Sequence, residues 1–192
     1  ETCNDIQKLA LEVPHRIPQL FGRDVIHGYR TIFPIPLAQA ASFSTDLAEQ
    51  AASVAALEAT ATGIKWTFAP MIDIARDARW GRIAEGSGED PFLGVQMAKA
   101  VVKGFQGDDY SAPDKLVACA KHYVGYGAAE GGRDYEAGEI SEPTLRDVYM
   151  PPYEAAVKSG VATLMSAFLD LNGIPASGNR RLLTDVLRGE LG

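Results

Sequence analysis

The chain has 192 residues, 46% of them apolar and 22% charged, and a formal net charge of −7. That length sets a prior of one domain with ample chain for a core. The acidic balance argues against nucleic acid or an anionic membrane surface as partner, since both call for a basic face, and no apolar run is long enough to span a bilayer. In chain order, the apolar run 18–26 predicts a first strand, and 64–75, 116–124 and 161–168 predict three more. None alternates strictly between apolar and polar, as expected when both faces of a parallel sheet are covered. Between them lie helical patterns. An Ala-rich helix is predicted over 45–62, with Ser44 or Thr45 as N-cap and Gly63 as its stop. A second covers 91–105. A third covers 143–159, capped by Ser141 and stopped by Gly160, with Pro151-Pro152 expected to kink or break it. A short last helix begins near Thr184.

Strand and helix therefore alternate, which implies βα units and a parallel sheet. Helix-to-strand joints take one glycine each, Gly63 and Gly160, whereas strand-to-helix loops are long, polar and glycine-rich. Extra length on that side is the mark of a (β/α) barrel, whose strand-to-helix loops carry the site. A doubly wound sheet would announce a phosphate-binding turn after its first strand, and neither G-x-G-x-x-G nor G-x-x-x-x-G-K-[ST] occurs. A complete barrel takes about 250 residues. Four strands in this length predict an α/β fold that is a partial (β/α)8 TIM-type barrel, about half of it, with residues 1–192 forming part of a single domain. The start at Glu-Thr-Cys, without an initiator methionine, reads as a position inside a longer protein.

Chemistry concentrates in three segments. Lys121-His122 ends an apolar run and opens into Gly125-Tyr126-Gly127, then Glu130-Gly131-Gly132-Arg133-Asp134-Tyr135. Adjacent Lys and His are seldom buried without partners. On a regular strand they would face opposite ways, so joint service in one site requires the backbone to bend there. Asp24 closes the first strand and is followed by His27 and Arg30. Arg82 lies in Ala78-Arg79-Trp80-Gly81-Arg82, amid Asp73, Arg76, Asp77, Glu85, Glu89 and Asp90. Asp77, Arg79 and Glu89 read as an ion-paired loop scaffold; Trp80 is either a ligand platform or a packed loop anchor. Together the segments suggest an enzyme site that grips a neutral, hydroxyl-rich ligand. Lys121 could alternatively form a Schiff base. His15, His27 and His122 show no metal-ligand spacing, Gly86-Ser87-Gly88 is no nucleophile elbow, and Cys119 reads as a reduced core residue.

Taken in order, 21–37 (FGRDVIHGYRTIFPIPL), 66–94 (WTFAPMIDIARDARWGRIAEGSGEDPFLG), 118–135 (ACAKHYVGYGAAEGGRDY), 165–179 (MSAFLDLNGIPASGN) and 182–192 (LLTDVLRGELG) resemble the N-terminal barrel of glycoside hydrolase family 3, especially bacterial β-glucosidases of the periplasmic type. The resemblance spans essentially the whole chain. It implies a retaining exo-acting glycosidase that removes non-reducing-end β-D-glucose, without cofactor or metal, in the periplasm or secreted. By match to the family's motifs, Asp24 would accept hydrogen bonds from two glucose hydroxyls with Arg30 nearby. Arg82, Lys121, His122 and Arg133 would donate to the others, and Met165 and Phe168 would form the floor. Charge-assisted hydrogen bonds of this kind are roughly twice as strong as neutral ones.

A retaining enzyme also needs a nucleophilic carboxylate and an acid/base carboxyl about 5–5.5 Å apart. The resemblance places the nucleophile, an aspartate, after Gly192 and the acid/base in a following α/β domain; Asp170 matches a position without a catalytic role. The chain alone is therefore expected to be poorly active or inactive. Its ligands would be β-glucosides or short β-linked gluco-oligosaccharides. Exposed half-barrel edges would favour self-association. Leu169 stands where relatives commonly have Asn, Ala78 where they have Pro, and Arg16 and Gln19 where smaller or apolar residues are common. The loop after Lys121-His122 has no His beyond the strand, which favours glucosidase-like or xylosidase-like relatives over those that cleave N-acetylglucosamine. The alternative function is a non-catalytic sugar-binding or assembly module completed by a partner chain.

Overall fold

A computed structural model describes residues 2–192. The elements, in chain order, begin with α1 (Thr2–Glu12), β1 (Gly22–Arg23), α2 (Pro36–Ala41) and α3 (Thr45–Thr60). Next come β2 (Trp66–Thr67), α4 (Pro91–Gln106), β3 (Cys119–Tyr123), α5 (Glu142–Thr144) and α6 (Pro151–Lys158). The chain then forms β4 (Thr163–Ser166), β5 (Asp170–Leu171), β6 (Ile174–Pro175) and a wide-turned helix, Arg181–Glu190. The alternation of parallel strands with helices is the α/β fold that the sequence implies.

The parallel strands are neighbours in sequence order. Gly22 pairs with Trp66 and Arg23 with Thr67. Trp66 bridges to Val117 and Met71 to Lys121, and Cys119, Ala120 and Lys121 pair with Thr163, Leu164 and Met165. Only short stretches of the four apolar runs hold ladder geometry, so the strands are shorter than their hydrophobic patterning suggests. Beyond β2 the chain still follows β3 through Cys119 N–H to Ala69 O at 2.8 Å and Lys121 N–H to Pro70 O at 3.0 Å. The Ala69–Pro70, Lys121–His122 and Tyr123–Val124 peptides are cis.

The helices cover the outer side of these strands. Five buried alanines of α3, Ala48, Ala52, Ala55, Ala56 and Ala59, fall on one helical face and let α4 approach closely. A side chain at Gly104 of α4 would bring its first carbon within 2.4 Å of Glu49 O, so glycine is required at that crossing. Ser44 caps α3 by accepting from Leu47 N–H, and Asp90 caps α4 by accepting from Leu93 N–H at 2.8 Å. Phe105, Leu116 and Ala118 pack on the α3 alanines. A second core joins Ile74, Val102, Ala120, Val124, Met150, Tyr153 and Leu182.

Several elements depart from the patterning. The third predicted helix is divided: Ser141 caps α5 as expected, 145–149 form a wide turn, and Pro151 starts α6 afresh, because a proline supplies no amide for the preceding turn. The terminal helix starts at Arg181, three residues before Thr184, where Asn179 Oδ1 accepts from Leu182 N–H. Helices α1 and α2 are additions. So is the β5–β6 hairpin, whose turn residues Asn172 and Gly173 have φ of 51° and 77°, the Asn-Gly chemistry of a tight hairpin.

Candidate functional site

A cleft of about 460 Å³ lies at the C-terminal ends of the four parallel strands. Each strand delivers something to it: Asp24 follows β1, Phe68 follows β2, Lys121 and His122 lie in β3, and Met165 lies in β4 with Phe168 beyond. Arg82, Glu85 and Tyr135 reach it from loops, and Ile26 completes the wall. The sequence reading named Asp24, Arg82, Lys121, His122, Met165 and Phe168 among its site residues, and all six converge here. Phe68, Glu85 and Tyr135 are additions. Phe68 carried no sequence signal, since it lies inside the predicted second strand and falls past it only because β2 ends at Thr67. Tyr135 could have been found as the end of the glycine-rich motif.

Two predicted residues lie elsewhere. Arg30 lines a neighbouring cleft of about 360 Å³ with Arg23, Asp24, Gly28, Tyr29 and Thr62; its amide, like that of Thr31, donates to Glu58 at 2.8 Å. Arg133 has a side chain 68% exposed and sits 3.5 Å from Glu136. It does not line the cleft. The loop of residues 130–132 carries it outward, with positive φ at Gly131 and Gly132. Leu169, at the position where relatives commonly carry Asn, is turned away and buried among Met71, Trp80 and Tyr126.

Lys121 and His122 both line the cleft because β3 is irregular there. Lys121 pairs with Met165 and Tyr123 with Ser166, leaving His122 as an extra residue in the ladder. Such a bulge re-aims a side chain, as the joint service of adjacent residues requires. Lys121 Nζ, with its side chain 4% exposed, donates to Asp24 Oδ1 at 2.9 Å. His122 is buried, and its Nδ1 lies 2.8 Å from Asp73 Oδ2.

The opposite wall is an Arg–carboxylate fork. Arg82 Nε donates to Glu85 Oε1 at 2.6 Å and its terminal nitrogen to Oε2 at 2.9 Å. The bonds to Glu85 push the guanidinium pKa up against the opposing effect of burial. Arg82 also lies 5.6 Å from the Tyr126 ring centroid, a cation–π distance. Tyr126 O–H and Trp80 Nε1–H both donate to Asp134 Oδ1, at 2.6 and 2.9 Å. Burial raises the Tyr126 phenol pKa and the bond to Asp134 adds to it. Burial works against ionising Asp134, yet the Tyr126 and Trp80 donors and the Arg82 charge hold its carboxyl below the usual range. Trp80 is 1% exposed, so it is a packed loop anchor and not a ligand platform. Gly127 fits against the backbone of Ile74, where an added carbon would fall 2.1 Å from its oxygen. The loop is therefore keyed to the strand beneath it.

The remaining surface is aromatic. Phe168 is 52% exposed, with ring centroids of His122, Tyr126 and Tyr135 at 5.2, 5.5 and 5.8 Å. The cleft thus offers a buried ammonium, a guanidinium, two paired carboxylates and an exposed apolar face, the mixture that suits a neutral polyol. Asp24 and Glu85 are its carboxylates, and each is engaged with a cation. Among the described residues no three His, Cys, Asp or Glu side chains gather as metal ligands, and no helix is long and apolar enough to cross a membrane. Cys119 is buried and its thiol pKa is raised by that burial, which marks a core residue.

Residues 1–192 match the glycosyl hydrolase family 3 N terminal domain. The chain belongs to that family. It is 44% identical over 177 residues to the periplasmic beta-glucosidase of Salmonella typhimurium, covering 92% of this chain and 23% of that protein. It is 41% identical over 170 residues to a beta-xylosidase of Formosa agariphila, covering 86% and 24%. A mutant beta-glucosidase from Listeria innocua, solved in complex with laminaribiose, superposes with a TM-score of 0.95 at 46% identity over 98% of this chain and 27% of that one. The chain therefore spans about a quarter of the length of these relatives, and it is a family 3 glycoside hydrolase sequence by membership.

Proposed function

We propose that the cleft holds the non-reducing-end glucose of a β-glucoside and is the sugar subsite of a retaining, exo-acting β-glucosidase. The observation that carries this reading is the convergence of Asp24, Arg82, Lys121 and His122 around the exposed Phe168 face. Asp24 and Glu85 accept hydroxyl hydrogens, Lys121 and Arg82 donate, and Phe168 with Met165 covers the apolar face of the ring. Arg30 and Arg133 belong to this proposal as outer residues, drawn in only by a ligand longer than one sugar. The Listeria protein has also been solved with glucose, which supports a gluco-configured ligand.

Four consecutive parallel neighbours support a second part of the proposal: residues 1–192 are part of one (β/α)8-type barrel, about half of its staves. Asp24 and Glu85 each pair with a cation and serve this reading as hydroxyl acceptors; the nucleophile and acid/base are assigned to segments outside these residues. The Salmonella relative's name supports a periplasmic or secreted setting. The Formosa relative favours β-xylosides as a second reading, since a pentose offers the same hydroxyl pattern without the hydroxymethyl group.

The test is calorimetric titration of the 192-residue chain with D-glucose and D-xylose, alongside p-nitrophenyl β-D-glucoside hydrolysis. Glucose binding with a Kd on the order of millimolar and no turnover are expected. Preference for xylose would move the assignment to xylosides. Turnover abolished by Asp24→Ala or Asp170→Ala would overturn the placement of the nucleophile outside the chain.

A further inference from the structure

Asp73 is buried, 2% exposed, on the segment that continues beyond β2. Nothing in the cleft reading uses it, yet it takes three hydrogen bonds. Its Oδ2 accepts from His122 N–H at 3.0 Å and faces His122 Nδ1 at 2.8 Å, while its Oδ1 accepts from Tyr153 O–H of α6 at 2.9 Å. The bulge in β3 removes the His122 amide from the ladder, and Asp73 replaces that lost partner. The same oxygen then fixes the ring. Among the described residues His122 Nε2 has no hydrogen-bond partner, and no buried side-chain nitrogen or oxygen is left unsatisfied. Nε2 is therefore the accessible edge of the ring, and the space it borders is the cleft.

We propose that Asp73 is a positioning residue: it holds the His122 proton on Nδ1 and turns Nε2 into the cleft as a hydrogen-bond acceptor for a ligand hydroxyl. A carboxylate behind one ring nitrogen sets the tautomer and thereby the role of the other. The cleft also holds the donors Lys121 and Arg82 and the acceptors Asp24 and Glu85; a further acceptor at His122 Nε2 selects for a ligand that presents an O–H at this point. This inference rests on reading the cleft as a sugar site. Tyr153, whose phenol pKa burial and Asp73 both raise, braces the far oxygen of the carboxylate.

The test is histidine nitrogen NMR on the 192-residue chain at about pH 8, above the usual histidine range. The chain has three histidines, and the His122 signals are identified by their loss in His122→Gln. Protonated Nδ1 and bare Nε2 are expected. Asp73→Asn keeps that pattern, since an amide oxygen still accepts. Asp73→Leu mixes the tautomers and lowers D-glucose affinity about tenfold, while Tyr153→Phe leaves both within about twofold. A proton on Nε2 in the unaltered chain would overturn the inference whether or not Asp73→Leu folds. So would an Asp73→Leu chain that keeps the pattern and the affinity. Should the unaltered chain carry the Nδ1 proton yet bind no glucose, the sugar reading falls and the positioning of the ring stands.

Discussion

Lys121 and Arg133 belong to one glycine-rich motif and carry the same charge, but their surroundings are opposite. Lys121 sits on a strand laddered on both sides, its side chain 4% exposed and pinned to Asp24 at 2.9 Å. Arg133 sits after a loop of positive-φ glycines, 68% exposed and 3.5 Å from Glu136. Exposed pairs of the second kind contribute about 0–1 kcal/mol and are screened by salt. A desolvated charge of the first kind is costly to strip of its partner and is strong toward any ligand that shares its pocket. Proximity in sequence did not make these two cations one site; the backbone beneath each decided it.

The largest effect should come from separating binding from stability at Lys121. Lys121→Met keeps the volume and removes the charge. D-glucose affinity should fall more than about tenfold with the chemical-unfolding midpoint nearly unchanged, and retained affinity would break the distinction. Asp24→Ala strips the buried ammonium of its counter-charge and should cost about 2 kcal/mol, below a fully buried pair because Asp24 itself is 57% exposed. Urea unfolding measures it. Arg82→Lys keeps the charge and loses the two-point bond to Glu85, so glucose affinity should drop a few-fold. Arg133→Ala should alter affinity less than about twofold and stability by less than about 0.5 kcal/mol. The smallest effect is at Asp77, whose carboxyl the Arg79 hydrogen bond pulls down to about 2. A depressed carboxyl contributes fully above its unfolded pKa of about 4 and loses that contribution as pH falls toward the folded value. The melting-temperature gap between wild type and Asp77→Asn should therefore narrow from about pH 5 downward.

The parallel strands, the helices α3 and α4, and the caps Ser44 and Ser141 were legible because small apolar faces, capping residues and single glycines act locally; the third helix was read as one piece and is divided around Pro151. The cleft residues on strands were legible too: a polar residue closing an apolar run has few places to go. The position of Arg133 outside the cleft was not legible because a motif read as a string carries no direction, and positive φ at Gly131 and Gly132 turns it outward. Asp73 was seen only as one charge among several in its loop. Its importance depends on His122 and Tyr153, both far away in sequence. Trp80 could be assigned as an anchor only once its burial and its indole N–H bond to Asp134 were seen in the structure.

The most direct measurement is chemical-shift mapping of the chain during titration with D-glucose. Saturable changes at Asp24, Arg82, Lys121, His122 and Phe168, with Arg30 and Arg133 silent, are the expected result. Changes centred on Arg30 or Arg133, or none at sugar concentrations well above millimolar, would contradict the assignment of the cleft at the strand ends as the sugar site.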